Sequence, residues 1–184
     1  MKRLLFISLT VLLTGCVSPK VALNYDAQST LEFDAAVTVT PFNYQRASTV
    51  RPNQIPNTAI GEGLFTPEPI AVFFSDAVRK ELRQSGISLS GNCELTGSIT
   101  RLLVDDLGFS VDYLISVDYR LSDGKGNALL SQAVDTELTN MSKFVAAQAL
   151  MNNLNKMFSD NIMRFISTQA FNGIVEEKCA PVQQ

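Results

Sequence analysis

Residues 109–122 read FSVDYLISVDYRLS, and this stretch decides the fold. Apolar and aromatic residues occupy every second position from Phe109 to Leu121, whereas the positions between them are polar except for Leu114. A period of two is typical of a β-strand, since successive side chains point to opposite faces of a sheet. The stretch therefore predicts a long strand with one face on a hydrophobic core and the other face largely in water.

Neighbouring stretches extend this strand into a sheet. Residues 93–104 alternate in the same way, and residues 128–138 return after the turn Asp123-Gly124-Lys125-Gly126-Asn127. Residues 35–40 are mostly β-branched and stop before a proline, which predicts one more strand. These patterns together predict a mainly antiparallel sheet.

Two amphipathic helices accompany the sheet. Thr66 is a candidate cap for the first helix, whose apolar residues recur at steps of three and four until Gly86, a natural helix stop. The second periodic stretch covers residues 142–171, as one kinked helix or as two helices with a break near Ser159. Its apolar stripe consists of Phe144, Ala147, Met151, Leu154, Phe158, Ile162 and Phe165.

The first sixteen residues resemble the signal of a bacterial lipoprotein. Lys2 and Arg3 form a basic start, and residues 4–13 form an apolar run. At 1.5 Å per residue such a run spans ~15 Å, about half of a bilayer's hydrocarbon core, so it is too short for a transmembrane helix and suits a secretory signal. Leu13-Thr14-Gly15-Cys16 is similar to a lipobox.

The lipobox resemblance implies a covalent anchor on Cys16. It implies cleavage before Cys16, a diacylglycerol thioether on its sulfur and an N-acyl chain on its amino group. Val17 follows, whereas Asp at that position retains enteric-type lipoproteins in the inner membrane. The resemblance therefore implies an outer-membrane protein that faces the periplasm.

The predicted fold class is α+β: a two-layer sandwich with a mainly antiparallel sheet of about four strands and two helices packed on one face. The expected organisation is a cleaved signal peptide (1–15), a lipidated cysteine and tether (16–34), a single α+β domain (35–171) and a C-terminal tail (172–184).

Cys93 and Cys179 are the two thiols that remain after lipidation of Cys16. The cell exterior permits disulfides, so the two can pair. The alternative is two buried, unpaired thiols.

The composition argues against several function classes. The chain has no His, which excludes a Ser–His–Asp or Cys–His nucleophile and an HExxH zinc site. Its net charge of −3 argues against nucleic acid as a partner. We therefore expect no catalytic residue, no metal and no cofactor apart from the acyl chains on Cys16.

A long connection spans residues 43–66 and is rich in proline, asparagine and glycine. Connections of this length are often functional or mobile. It is either a partner-binding loop or a flexible surface excursion. The candidate partner residues within it are Arg46, Arg51, Ile55, Ile60 and Phe65.

The order of these elements resembles the YajG-type bacterial lipoproteins and, more distantly, the auxiliary lipoproteins of ABC-type transporters. The resemblance rests on the lipobox, on the helix FSDAVRKEL at residues 74–82, and on the strand LTGSI at 95–99 with the hairpin and helix after it. It implies a non-catalytic envelope lipoprotein.

Two roles follow from that resemblance and remain open. The first is an accessory of an envelope transport system, with a protein partner or a lipid held against the helix layer. The second is a structural or assembly lipoprotein that docks on another envelope machine or on the cell wall.

Overall fold

The computed structural model describes residues 21–59, 61, 63–144 and 147–181. The elements within these ranges are β1 (Ala36–Val39), β2 (Asn43–Tyr44), β3 (Gln54–Ile55), β4 (Leu64–Phe65), α1 (Ile70–Gln84), β5 (Ser88–Asp105), β6 (Ser110–Ser122), β7 (Ala128–Ser142), α2 (Ala147–Ile166) and α3 (Gln169–Lys178). The main sheet has the order β1-β5-β6-β7, with β2 also paired to β5, and β3 and β4 form a separate hairpin.

The long central strand is confirmed. β6 pairs antiparallel with β5 on one side and with β7 on the other. The side chains of its apolar face are no more than 7% exposed. They are Val111, Tyr113, Ile115, Val117, Tyr119 and Leu121. The α+β fold class is confirmed with them, because α1 and α2 pack against the sheet and against each other.

The mainly antiparallel sheet is confirmed in β5, β6 and β7, but the sheet is mixed at one edge. β1 and β2 both run parallel to β5 and make the main sheet five-stranded. The reason lies in the connection: α1 carries the chain back along the sheet before β5 begins, and a helical crossover of this kind joins parallel strands.

The first helix begins later than the sequence predicts. Pro69 occupies the N-cap position of α1, and Thr66 instead donates from its hydroxyl to the carbonyl oxygen of Glu68 at 2.6 Å. The helical region of φ and ψ is disfavoured for a residue that precedes proline. Glu68 precedes Pro69, so the helix does not start as early as Thr66. The predicted stop is confirmed, since Gly86 follows the helix with a φ of +81°.

The stretch after β7 forms two helices, but the break lies after Ile166. Ser159, the predicted break, is 3% exposed within α2. Thr168 caps α3, where its hydroxyl oxygen accepts a hydrogen bond from the backbone N–H of Phe171 at 3.2 Å. A side-chain cap of this kind satisfies a backbone N–H at the start of a helix and so marks where α3 begins.

The C-terminal stretch is part of the fold rather than a tail. α3 extends to Lys178 and buries Phe171 and Val175 completely. Phe171 packs against Phe165 of α2 with ring centroids 4.9 Å apart. The expected domain 35–171 therefore continues at least to the end of α3.

Two residues with the pattern of core positions lie in water. Phe109, the first apolar residue of the alternating stretch, is 94% exposed just before β6. Phe144, the first residue of the predicted helical stripe, is 88% exposed between β7 and α2. Both lie outside the elements whose periodicity they share, so the core ends before it reaches them.

Asn161 joins α2 to the sheet through a satisfied polar network. Its side-chain oxygen accepts from the hydroxyl of Tyr119 at 2.8 Å, and its nitrogen donates to the carbonyl of Val134 at 2.9 Å. Asn161 is fully buried, so water cannot replace these partners.

We expect Asn161→Ala to lower the free energy of unfolding by about 2 kcal/mol, because it leaves a buried hydroxyl and a buried carbonyl without a partner. Urea unfolding measures the change. The exposed Asn152 of the same helix supplies the control, since Asn152→Ala should change the free energy by no more than about 0.5 kcal/mol. Equal effects of the two variants would contradict the role of the network.

Candidate functional site

The segment at residues 21–34, expected to be a tether, is bound to the body of the domain. Its side chains alternate between exposed positions and positions that are buried or half-buried along the whole length. Val21, Tyr25 and Ser29 are no more than 3% exposed. This is an extended segment with one face on the core, and the signal that reveals it is the same period of two that marks β6. Sequence reasoning missed it because the inward set includes serine and alanine.

Glu81 of α1 holds this segment in place. Its carboxylate accepts hydrogen bonds from the hydroxyl of Tyr25 at 2.5 Å and from the backbone N–H groups of Gln28 and Ser29 at 3.0 and 2.9 Å. Glu81 is fully buried. The ammonium group of Lys80 donates to the carbonyl of Tyr25 at 2.8 Å. A carboxylate has several acceptor sites, so one side chain can satisfy all three donors.

Burial keeps the Tyr25 hydroxyl in its donor form. Desolvation raises the pKa of Tyr25 far above its usual range, and the hydrogen bond to Glu81 raises it further. The Tyr25 hydroxyl therefore stays protonated and able to donate to Glu81 throughout the neutral range of pH.

The segment starts at the β3–β4 hairpin. The backbone N–H of Val21 donates to the carbonyl of Phe65 at 2.7 Å. Cys16, the predicted lipidation site, lies outside the described residues and only five positions before Val21. Five residues of fully extended chain span at most ~17 Å.

The connection at 43–66 contains the short strands β2, β3 and β4. Its predicted partner residues lie in different environments and do not form one binding surface. Ile55 is fully buried and belongs to the core rather than to a binding surface. Arg51 lies over the ring of Phe65, with its guanidinium carbon 5.4 Å from the centroid. Arg46 donates to the nearby carbonyl of Val50. Ile60 lies outside the described residues.

Cys93 and Cys179 form a disulfide in the structure. Their Cα atoms are 5.5 Å apart, and both residues are 2% exposed. The bond ties β5 to the residue that follows α3, and the carbonyl of Cys179 also accepts from the N–H of Ala36 at 2.7 Å. The end of the chain is thus joined to two strands of the sheet.

The face of the sheet opposite α1 and α2 is open and polar. A groove of about 550 Å³ crosses the strands there. Its outward side chains lie in rows set by strand register, with Arg120 between Thr96 and Ser131 and with Asp118 in the next row. Closer to the other end of the face, Arg101 lies 4.0 Å from Glu137. Both signs of charge are present, so the face suits a polar partner surface.

A second groove lies on the helical side of the domain. It measures about 500 Å³ and runs between the extended segment and α2. Asn24, Asp26 and Gln28 line one wall, while Gln148 and Lys156 line the other. The extended segment therefore helps to shape the surface of the domain.

Within the described ranges, no group of three or more His, Cys, Asp or Glu side chains is placed to hold a metal ion. Among the helices of the same ranges, none combines the length and the apolar character that crossing a membrane requires.

Solved structures supply the comparisons, since no family model and no curated protein matches the sequence. Protein XCC0632 from Xanthomonas campestris, of family model DUF330, aligns with a TM-score of 0.64 and 12% identity over 85% of this chain and 96% of that chain. A structure described as an uncharacterized protein aligns with a TM-score of 0.55 and 14% identity over 82% of this chain and 100% of that chain.

Lipoprotein GNA1162 from Neisseria meningitidis aligns less closely, with a TM-score of 0.31 and 13% identity over 71% of this chain and 99% of that chain. At these identities a likeness concerns the fold alone. The chain is therefore similar in fold to the DUF330 protein from Xanthomonas campestris.

Proposed function

We propose that this chain is a non-catalytic lipoprotein, anchored through Cys16 to the outer membrane and facing the periplasm, that serves as an accessory of an envelope transport system. The observation that carries the proposal is the docking of Val21, which is 1% exposed and lies five residues after Cys16. An acylated Cys16 would hold the domain directly beside the membrane. One acyl chain alone gives marginal and reversible membrane binding. Three acyl chains would make the attachment essentially permanent, because each buried CH₂ group adds to the binding free energy.

The open face of the sheet supports a protein partner. It presents exposed Arg120 and Asp118 on a groove that crosses several strands, while the disulfide and the buried core hold the strands rigid. Charges of both signs on one rigid surface select a partner by electrostatic complementarity. The proposed accessory role is therefore one of binding.

Acyl labelling tests the anchor. We expect Cys16→Ser to abolish incorporation of labelled fatty acid and to leave the unprocessed chain, because the sulfur that receives the diacylglycerol is gone. Labelling of intact cells followed by electrophoresis measures both outcomes. Asn152→Ala, an exposed change in α2 that is expected to leave stability within about 0.5 kcal/mol of the parent chain, is the control and should be labelled normally. A labelled and processed Cys16→Ser chain would refute the proposed anchor.

Site-specific photocrosslinking in intact cells tests the partner. A photoreactive residue in place of exposed Arg120 should give a discrete protein adduct, whereas the same residue in place of exposed Glu176 on α3 should not. Mass spectrometry then identifies the adduct. Subunits of an ABC transporter or a substrate-binding protein would support the transport role. Recovery of only cell-wall or secretion components would overturn it in favour of a structural or assembly role.

A further inference from the structure

The end of the domain where Val21 enters also displays large apolar side chains to solvent. Among the described residues, the large hydrophobic side chains that are exposed are Val72, Leu107, Phe109 and Phe144. Val72 lies in the first turn of α1, whose first residue Ile70 donates its N–H to the carbonyl of Pro52 beside β3. Leu107 and Phe109 lie in the connection between β5 and β6, and Phe144 lies in the connection between β7 and α2.

Hydrogen bonds connect the entry point of the chain to the turn between β5 and β6. Asn57, just after β3, forms a parallel bridge with Val104 of β5. The hydroxyl of Thr58 then donates to Asp105 at 2.7 Å, and the N–H of Ala59 donates to Asp106 at 2.8 Å. The β3–β4 hairpin that receives Val21 therefore lies against the turn that carries Leu107 and Phe109.

The same end includes the connection between β7 and α2. Ser110 of β6 pairs with Ser142 of β7, so Phe109 and Phe144 both lie just beyond that last pair. The ammonium group of Lys143 donates to the carbonyls of Asp106 and Gly108 and bridges the two connections. Leu107, Phe109 and Phe144, here called the apolar tip, are 67%, 94% and 88% exposed.

The apolar tip is linked through the β3–β4 hairpin to the end of the domain at which Val21 is bound, and Cys16 lies five residues before Val21. The five residues from Cys16 to Val21 span at most ~17 Å, so an acylated Cys16 places the membrane surface within that distance of Val21. Exposed aromatic side chains on a tethered domain lower their free energy by entering the boundary between headgroups and acyl chains. The charged side chains beside the tip are those of Asp105, Asp106 and Lys143, which are hydrogen-bonded within the domain. An insertion of only ~5–10 Å leaves them at the level of the hydrated headgroups while the rings enter the boundary.

We infer that the apolar tip is a second membrane contact, in which Leu107, Phe109 and Phe144 insert into the lipid surface to which Cys16 is attached. This inference rests on the proposed anchor. Two separated points of attachment would set the orientation of the domain, with the β6–β7 turn pointing away from the membrane. The open face of the sheet would then lie parallel to the membrane normal, where a partner in the periplasm can reach it.

Tryptophan fluorescence tests the inference, because the chain contains no Trp. Phe109→Trp and Phe144→Trp each place one fluorophore in the apolar tip. Lys125→Trp is the matched control in the exposed β6–β7 turn at the far end of β6, a separation of ~40 Å at the usual rise per residue. The full acylated chains are reconstituted in vesicles of phosphatidylcholine with brominated acyl chains.

We expect Phe109→Trp and Phe144→Trp to emit at shorter wavelength in vesicles and to lose most of their emission to bromine. Bromine near the headgroup end of the acyl chain should quench more than bromine near its terminal methyl, since interfacial groups insert only ~5–10 Å. Lys125→Trp should keep its aqueous emission. Tip variants that float with the vesicles and match Lys125→Trp in emission would overturn the inference and leave the proposed anchor intact.

Two further outcomes would also overturn the inference. If the chain isolated from cells carries no acyl group and does not float with the vesicles, the anchor on which the inference rests is absent. A photoreactive residue in place of Phe109 that gives a discrete protein adduct in intact cells would assign the apolar tip to a protein partner. A lipid adduct at that position would support the membrane contact.

Discussion

Replacing Cys93 and Cys179 together by alanine should lower the free energy of unfolding by about 4–5 kcal/mol, which is the largest single effect that we expect. The bond closes a loop with a sequence separation of 86, and a long closed loop restricts the unfolded chain strongly. Both residues are buried, so the reduced thiols gain no solvation in the native state.

The measurement is urea unfolding of the mature chain with Cys16→Ser, so that no acyl group and no third thiol is present. Dithiothreitol should destabilise the parent chain to about the level of the double alanine variant and should not affect that variant. A parent chain that unfolds at the same urea concentration with and without dithiothreitol would show that the bond contributes nothing to stability.

Glu81→Ala should lower the free energy of unfolding by about 3–4 kcal/mol, because it leaves two buried donors and one partly buried donor without an acceptor. These donors are the hydroxyl of Tyr25 and the N–H groups of Gln28 and Ser29. Glu81→Gln keeps the volume but turns one acceptor into a donor, so its loss should be smaller, about 1–3 kcal/mol. Urea unfolding ranks the variants.

Exposed Glu32, in the same extended segment, is the matched control for Glu81, and Glu32→Ala should stay within about 0.5 kcal/mol of the parent chain. Hydrogen exchange separates a local effect from a global one. In Glu81→Ala the amides of Gln28 and Ser29 should exchange faster, whereas those of β6 follow only the global change. If Glu81→Ala and Glu32→Ala were equally stable, the segment would be held by its apolar contacts alone.

The elements predicted with most success are those whose signal is local. The alternation from Val111 to Leu121 and the glycine stop at Gly86 appear in the fold as the sequence predicts. Prediction fails where distant contacts decide. The extended segment reads as a tether because its acceptor, Glu81, lies 56 positions after Tyr25. α3 reads as a tail because its contacts with β7 and α2, and the disulfide from the residue after it to β5, appear only in the fold.

The candidate site was predictable only in part. The resemblance of residues 13–16 to a lipobox predicts an anchor at Cys16 from sequence alone, whereas only the structure shows that Val21, five positions later, is bound to the domain. Among the expected partner residues, Ile55 proves to be core, since the hairpin turns its side chain inward. Phe109 and Phe144 follow the apolar pattern, and only the structure shows that they lie in water.

The sequence by itself determined the α+β class, the long central strand and the lipobox, because periodicity and short motifs depend on residues that are neighbours in the chain. The tertiary structure decided that β1 and β2 run parallel to β5, that residues 21–34 bind along α1, and that Leu107, Phe109 and Phe144 lie exposed to solvent. These features arise from contacts between segments far apart in sequence. Packing and burial, rather than local propensity, select such contacts.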